Sequence, residues 1–142
     1  MLALLLALAL SHAPLPAAPA TPVWSSWPAQ GTITTPFGPY HSGIDIGMLR
    51  SLEVSAAQPG TVIAVGQPPG FEGYGNVVEL ADGRGFVSLY AHLAAWRVHV
   101  GEQVSAEERI GTAGCTGWCT GTHLHFEMRR WSRPVDPLAF RR

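Results

Sequence analysis

The chain has 142 residues, 46% of them hydrophobic and 13% charged, with a formal net charge of -1. That length and apolar content supply one packed core and argue against a second folding unit. The charge balance excludes a nucleic-acid partner, because no run of arginines forms the basic stripe that counterion release requires.

In chain order, Met1 to Leu10 is an uncharged Leu/Ala run, followed by a Pro/Ala-rich stretch ending at Ala18-Pro19-Ala20. A membrane span needs roughly 20 apolar residues, whereas an export signal needs roughly 7–15. Residues 1–20 therefore read as a signal peptide, although no Lys or Arg precedes the run. The expectation is a secreted protein with no stable membrane insertion once the signal is removed. Residues 21–30, with Trp24 and Trp27, read as a linker, and residues 31–142 as the folded domain.

From Gly31 onward, short β-branched or aromatic runs alternate with Gly and Pro: Thr32 to Thr34, Gly60 to Val65, Asn76 to Leu80, Phe86 to Leu93 and His123 to Met128. This pattern predicts an all-β domain. The stretch Ala81-Asp82-Gly83-Arg84-Gly85 reads as a hairpin connection. No segment keeps a helical period over three turns; Ala106 to Arg109 suffices for one turn at most.

Side chains alternate across a strand, so each run predicts its own faces. In His41 to Ile46, His41, Gly43 and Asp45 share one face, with Ile44 and Ile46 opposite. In His123 to Met128, His123, His125 and Glu127 share a face, with Leu124, Phe126 and Met128 turned to the core. In Phe86 to Leu93, alternation assigns Val87, Leu89, Ala91 and Leu93 to the core and Ser88, Tyr90 and His92 to the other side. Three strands each offering a histidine opposite an apolar set can converge on one ion. Zinc suits imidazole and carboxylate donors, and a catalytic site keeps a fourth position for water.

The two cysteines, Cys115 and Cys119, are four positions apart. In an exported protein they read as a disulfide that shapes a local loop. A structural Cys2His2 zinc site from Cys115, Cys119, His123 and His125 also fits the spacing, but it leaves His41, Asp45 and His92 without a role.

With these residues in view, the sequence resembles the lysostaphin/LytM-type metallopeptidases, whose signature is His-x-x-x-Asp followed much later by His-x-His. The resemblance runs from Ile33 to Phe140 and includes Thr35-Pro36-Phe37-Gly38, His41-Ser42-Gly43-Ile44-Asp45-Ile46, Gly73-Tyr74-Gly75-Asn76, Tyr90-Ala91-His92-Leu93, Gly121-Thr122-His123-Leu124-His125-Phe126-Glu127 and Arg133-Pro134-Val135-Asp136-Pro137. It implies a single antiparallel β domain of the duplicated hybrid motif kind with an open groove. It also implies His41, Asp45 and His125 as zinc ligands, and His92 and His123 as the unligated catalytic pair. The implied activity is a zinc metalloendopeptidase acting on the peptides of peptidoglycan cross-links or stems; a monomer is expected. The alternative is a catalytically silent relative that binds or regulates at the cell wall. Two departures stand out. Ser51-Leu52-Glu53-Val54 replaces the family's usual turn after the aspartate, and Cys115-Thr116-Gly117-Trp118-Cys119 replaces a plain Gly/Ser loop, with Trp118 expected at the groove rim.

Overall fold

The computed structural model describes residues 23–142. The expected signal peptide, residues 1–20, lies outside the described residues.

Ten strands build one antiparallel sheet: β1 (Thr32–Thr35), β2 (Ile44–Gly47), β3 (Glu53–Ser55), β4 (Gly60–Gly66), β5 (Asn76–Ala81), β6 (Phe86–Trp96), β7 (Gln103–Val104), β8 (Arg109–Ala113), β9 (Leu124–Arg130) and β10 (Arg133–Val135). The main path runs β1-β2-β9-β6-β5-β4-β7; β10 adds to β9, and β8 joins β6 and carries β3. The fold is all-β, as the sequence predicts. The expected hairpin connects β5 to β6, and Asp82 Oδ1 accepts from the backbone N–H of Arg84 and Phe86 to close it. Ala106 to Arg109 forms no helix; Glu107 instead takes a left-handed φ of 71° just before β8. Among the described residues, no helix is long and apolar enough to cross a membrane.

Strands β2 and β9 follow strict alternation. Ile44, Ile46, Leu124, Phe126 and Met128 are all buried in the main core, while the register sets Asp45 directly opposite His125 on the other face.

Strand β6 departs from its predicted faces. Tyr90 lies in the main core, where its hydroxyl accepts from the Ala57 N–H at 2.8 Å. Leu89 and Ala91 form a separate apolar cluster with Val77, under Phe71 and Tyr74. Ala91 pairs with His125 and Leu89 with Glu127, so these two residues share the histidine face instead of the core face. The phase is reversed up to Ala91. Strict alternation would then send His92 into the core with Tyr90, but a bulge intervenes: the register against β5 slips by one between Asn76 and Val78, and His92 takes φ 59°. A bulge re-aims a side chain and bends the strand. Here it turns His92 to the histidine face, returns Leu93 to the core, and marks where β6 exchanges β9 for β8 as its neighbour.

Residues 23–30 are not a free linker. Trp24 is 1% exposed, stacks edge-on against Phe126 and donates from Nε1 to the Pro137 carbonyl at 2.8 Å. Val23 and Ala29 are buried beside it. The Pro-rich surroundings suggest an extended tether, but the indole supplies enough apolar area to anchor the segment on the core. The packed unit thus begins before Gly31.

Candidate metal centre and groove

Asp45 and His125 are cross-strand neighbours, and His125 Nδ1 lies 2.8 Å from Asp45 Oδ1. His41 sits just before β2, where two backbone hydrogen bonds with Gly38 hold the turn. Its Nδ1–H donates to the Pro36 carbonyl at 2.9 Å, which turns Nε2 toward Asp45 Oδ1, 3.1 Å away. The donor atoms of His41, Asp45 and His125 all lie within 4.8 Å of one another. Two imidazole nitrogens and one carboxylate oxygen, open to a groove, form a donor set that fits a catalytic zinc ion.

His92 and His123 flank this group. Their rings are 4.8 Å apart, and His92 is 5.9 Å from the His125 ring. Each has its Nδ1–H tied to a backbone carbonyl at 2.7 Å, His92 to Thr116 and His123 to Gly121. A carbonyl only accepts, so both rings keep an unprotonated Nε2 when neutral. His123 Nε2 is 3.6 Å from Asp45 Oδ1. All five residues singled out from the sequence therefore meet in one place. They line a cavity of about 630 Å³ together with Tyr40, Tyr74 and Trp118. Trp118 is 86% exposed at its edge, as expected.

Behind the cluster lies a layer of polar side chains centred on Glu127. Glu127 is fully buried and accepts hydrogen bonds from His125 Nε2 at 3.0 Å, Tyr74 at 2.8 Å, Arg129 at 2.6 Å and the Ser42 hydroxyl. Arg129 also reaches Glu79. Alternation carried two residues past Glu127 points to Arg129, but nothing local in the sequence marks Ser42 or Tyr74.

The charges are strongly interdependent. Burial works to raise the Asp45 carboxyl, yet the His125 hydrogen bond and the His125, His41 and His123 charges hold it down at about 2. Burial likewise opposes ionisation of Glu127, but His125, Ser42, Arg129 and Tyr74 bring it to about 2. His125 is itself lifted to about 9, because hydrogen bonds and charge from Asp45 and Glu127 outweigh its burial. Burial, together with the neighbouring His123 and His125, pushes the His92 imidazole below its ordinary value despite the Thr116 hydrogen bond. These values describe the metal-free protein.

Cys115 and Cys119 are joined in a disulfide. Neither sulfur is available as a thiolate, which removes the Cys2His2 alternative.

An antiparallel sheet carrying His, Asp and His around one point above a groove defines a metallopeptidase-type domain. The chain belongs to peptidase family M23, whose family model matches residues 39–137. It is 39% identical over 130 residues to a lipoprotein NlpD/LppB homolog of Pseudomonas aeruginosa, covering 89% of this chain and 42% of that protein. To the murein hydrolase activator NlpD of Escherichia coli it is 32% identical, covering 80% of this chain and 30% of that one. The chain thus spans less than half the length of these curated relatives. Among solved structures, a zinc containing peptidase from Vibrio cholerae superposes with a TM-score of 0.74 at 28% identity, covering 82% of this chain and 39% of that one. The antimicrobial peptidase lysostaphin from Staphylococcus simulans superposes with a TM-score of 0.69 at 30% identity, covering 85% and 53%.

Proposed function

We propose that this chain is a secreted zinc endopeptidase that hydrolyses peptide bonds in peptidoglycan cross-links or stem peptides. One observation supports the reading: two imidazoles and a carboxylate close enough to hold one metal ion, and two further histidines that each have Nδ1 anchored on a backbone carbonyl, surround a single point. His41, Asp45 and His125 hold the metal. When bound, zinc supplies Lewis acidity toward the scissile carbonyl and makes water nucleophilic near neutral pH.

The protein groups do the rest. His92 is 7% exposed and neutral at pH 7, so its Nε2 accepts the proton of the attacking water. His123, when protonated, donates from Nε2 to the oxyanion that develops on the substrate. His92 then returns its proton to the leaving amine. The Thr116 and Gly121 carbonyls keep both rings in the required orientation.

The second reading, a regulator that does not cut, is favoured by similarity to a murein hydrolase activator. Retention of all five residues favours hydrolysis. Zymography on purified cell walls, with and without chelator, separates the two, and mass spectrometry of the released peptides identifies the bond. Walls left intact by zinc-replete protein would leave the regulatory reading standing.

A further inference from the structure

The disulfide between Cys115 and Cys119 closes a ring that contains Thr116, Gly117 and Trp118. This ring is docked on the groove wall at several points. The Thr116 hydroxyl donates to the Leu93 carbonyl at 2.8 Å and accepts from the Asn76 N–H at 3.0 Å. The Trp118 N–H donates to the Gly73 carbonyl at 3.0 Å. Backbones also touch: a Cβ on Gly117 would fall 2.3 Å from Gly75 N, and one on Gly75 would fall 2.4 Å from the Thr116 carbonyl carbon. Both glycines have positive φ, 72° and 64°, so no other residue fits this contact without strain. The outcome is that the Thr116 carbonyl sits 2.7 Å from His92 Nδ1.

His92 needs such a constraint. Its φ of 59° lies in a region that a non-glycine residue holds only when its surroundings enforce it. We propose that Thr116, locked inside the disulfide ring, is a positioning residue: its hydroxyl pins the ring to β5 and β6, and its carbonyl keeps the proton of His92 on Nδ1, leaving Nε2 aimed into the groove. The functional consequence rests on the reading of His92 as proton acceptor; the positional one does not.

The test uses the full chain, loaded with zinc and labelled with 15N at histidine. Two-bond 1H–15N correlation spectra read the His92 tautomer, its signals being assigned by their loss in His92→Gln. Wild type is expected to show the Nδ1–H form alone. Thr116→Val and the double variant Cys115→Ser/Cys119→Ser are expected to show a mixture. Both should keep full zinc content while kcat falls about 10- to 100-fold and KM changes less than about twofold. Thr116→Ser, which restores the hydroxyl, should return the single tautomer and wild-type kcat.

A single Nδ1–H tautomer with unaltered kcat in Thr116→Val overturns the assignment. If Thr116→Val does not fold, the same spectra on wild type before and after disulfide reduction decide, and an unchanged tautomer again overturns it. If wild type cleaves no substrate, the peptidase reading fails, while the spectra still decide whether the ring holds His92.

Discussion

His125 is gripped by two carboxylates: its Nε2 lies 3.0 Å from Glu127 Oε1, while its Nδ1 meets Asp45 on the facing strand. The buried Glu127 therefore orients a proposed metal ligand from behind and sets which nitrogen is presented. Removing such a partner typically costs about 10- to 100-fold in metal affinity. Glu127→Gln keeps the shape and removes the charge, so zinc should bind weaker by about that factor in competition with a chromogenic chelator. An unchanged dissociation constant would reduce Glu127 to a packing role.

Metal binding should release protons. In metal-free protein His125 titrates at about 9, so at pH 7 it carries a proton that the ion must displace. Calorimetric titrations with zinc in buffers of different ionisation enthalpy should yield about one proton released per ion at pH 7, and weaker binding as pH falls. Buffer-independent enthalpies would contradict this.

The same groups set the pH profile of the metal-free fold. His125 is raised from 6.5 to about 9, so its contribution is complete below 6.5 and is lost as pH rises through about 9. Asp45 and Glu127 are lowered from 3.8 and 4.5 to about 2, so theirs is complete above 4.5 and is lost as pH falls toward 2. Melting temperatures of chelated protein should be highest between about pH 4.5 and 6.5 and decline on both sides. A monotonic rise from acid to alkaline pH would be inconsistent with this charge cluster.

The proposed roles divide cleanly by variant. His92→Ala or His123→Ala should retain one zinc per chain and lose about 10²- to 10⁴-fold in turnover. His41→Ala should lose the metal as well. Plasma emission spectroscopy alongside cell-wall digestion distinguishes them, and equal zinc loss in all three would abolish the distinction.

Trp24 gives a test of where the folded unit begins. Its truncation empties a fully buried site against Phe126, so Trp24→Ala should cost about 3–5 kcal/mol in denaturant unfolding. A loss below about 1 kcal/mol would restore a linker role to residues 23–30.

What could be read from the sequence depended on whether a strand has one apolar face or two. Ile44 and Ile46 around Asp45, and Leu124 and Phe126 around His125, alternate cleanly because only one side of β2 and β9 enters the main core. Strand β6 is buried on both sides. Its apolar residues Leu89 and Ala91 pack with Val77 against Phe71 and Tyr74, while Tyr90 enters the core because the Ala57 N–H satisfies its hydroxyl. His92 reaches the histidine face only because a bulge compensates for the inverted phase. Strand β8, Arg-Ile-Gly-Thr-Ala, shows too little apolar periodicity to be recognised without its partners. Trp24 was hidden by its Pro-rich neighbours, since burial of an isolated indole depends on distant residues such as Pro137 and Phe126.

The anchored tryptophan also holds the two ends of the described residues side by side. Trp24 bridges Arg141 side by side, Val23 N–H donates to the Phe140 carbonyl and Arg142 N–H to that of Trp24, both at 2.9 Å. Head and tail therefore leave the sheet as adjacent threads. A circular permutant that joins residue 142 to residue 23 through a few Gly/Ser residues, and reopens at the exposed Gly83, would keep every strand pairing intact.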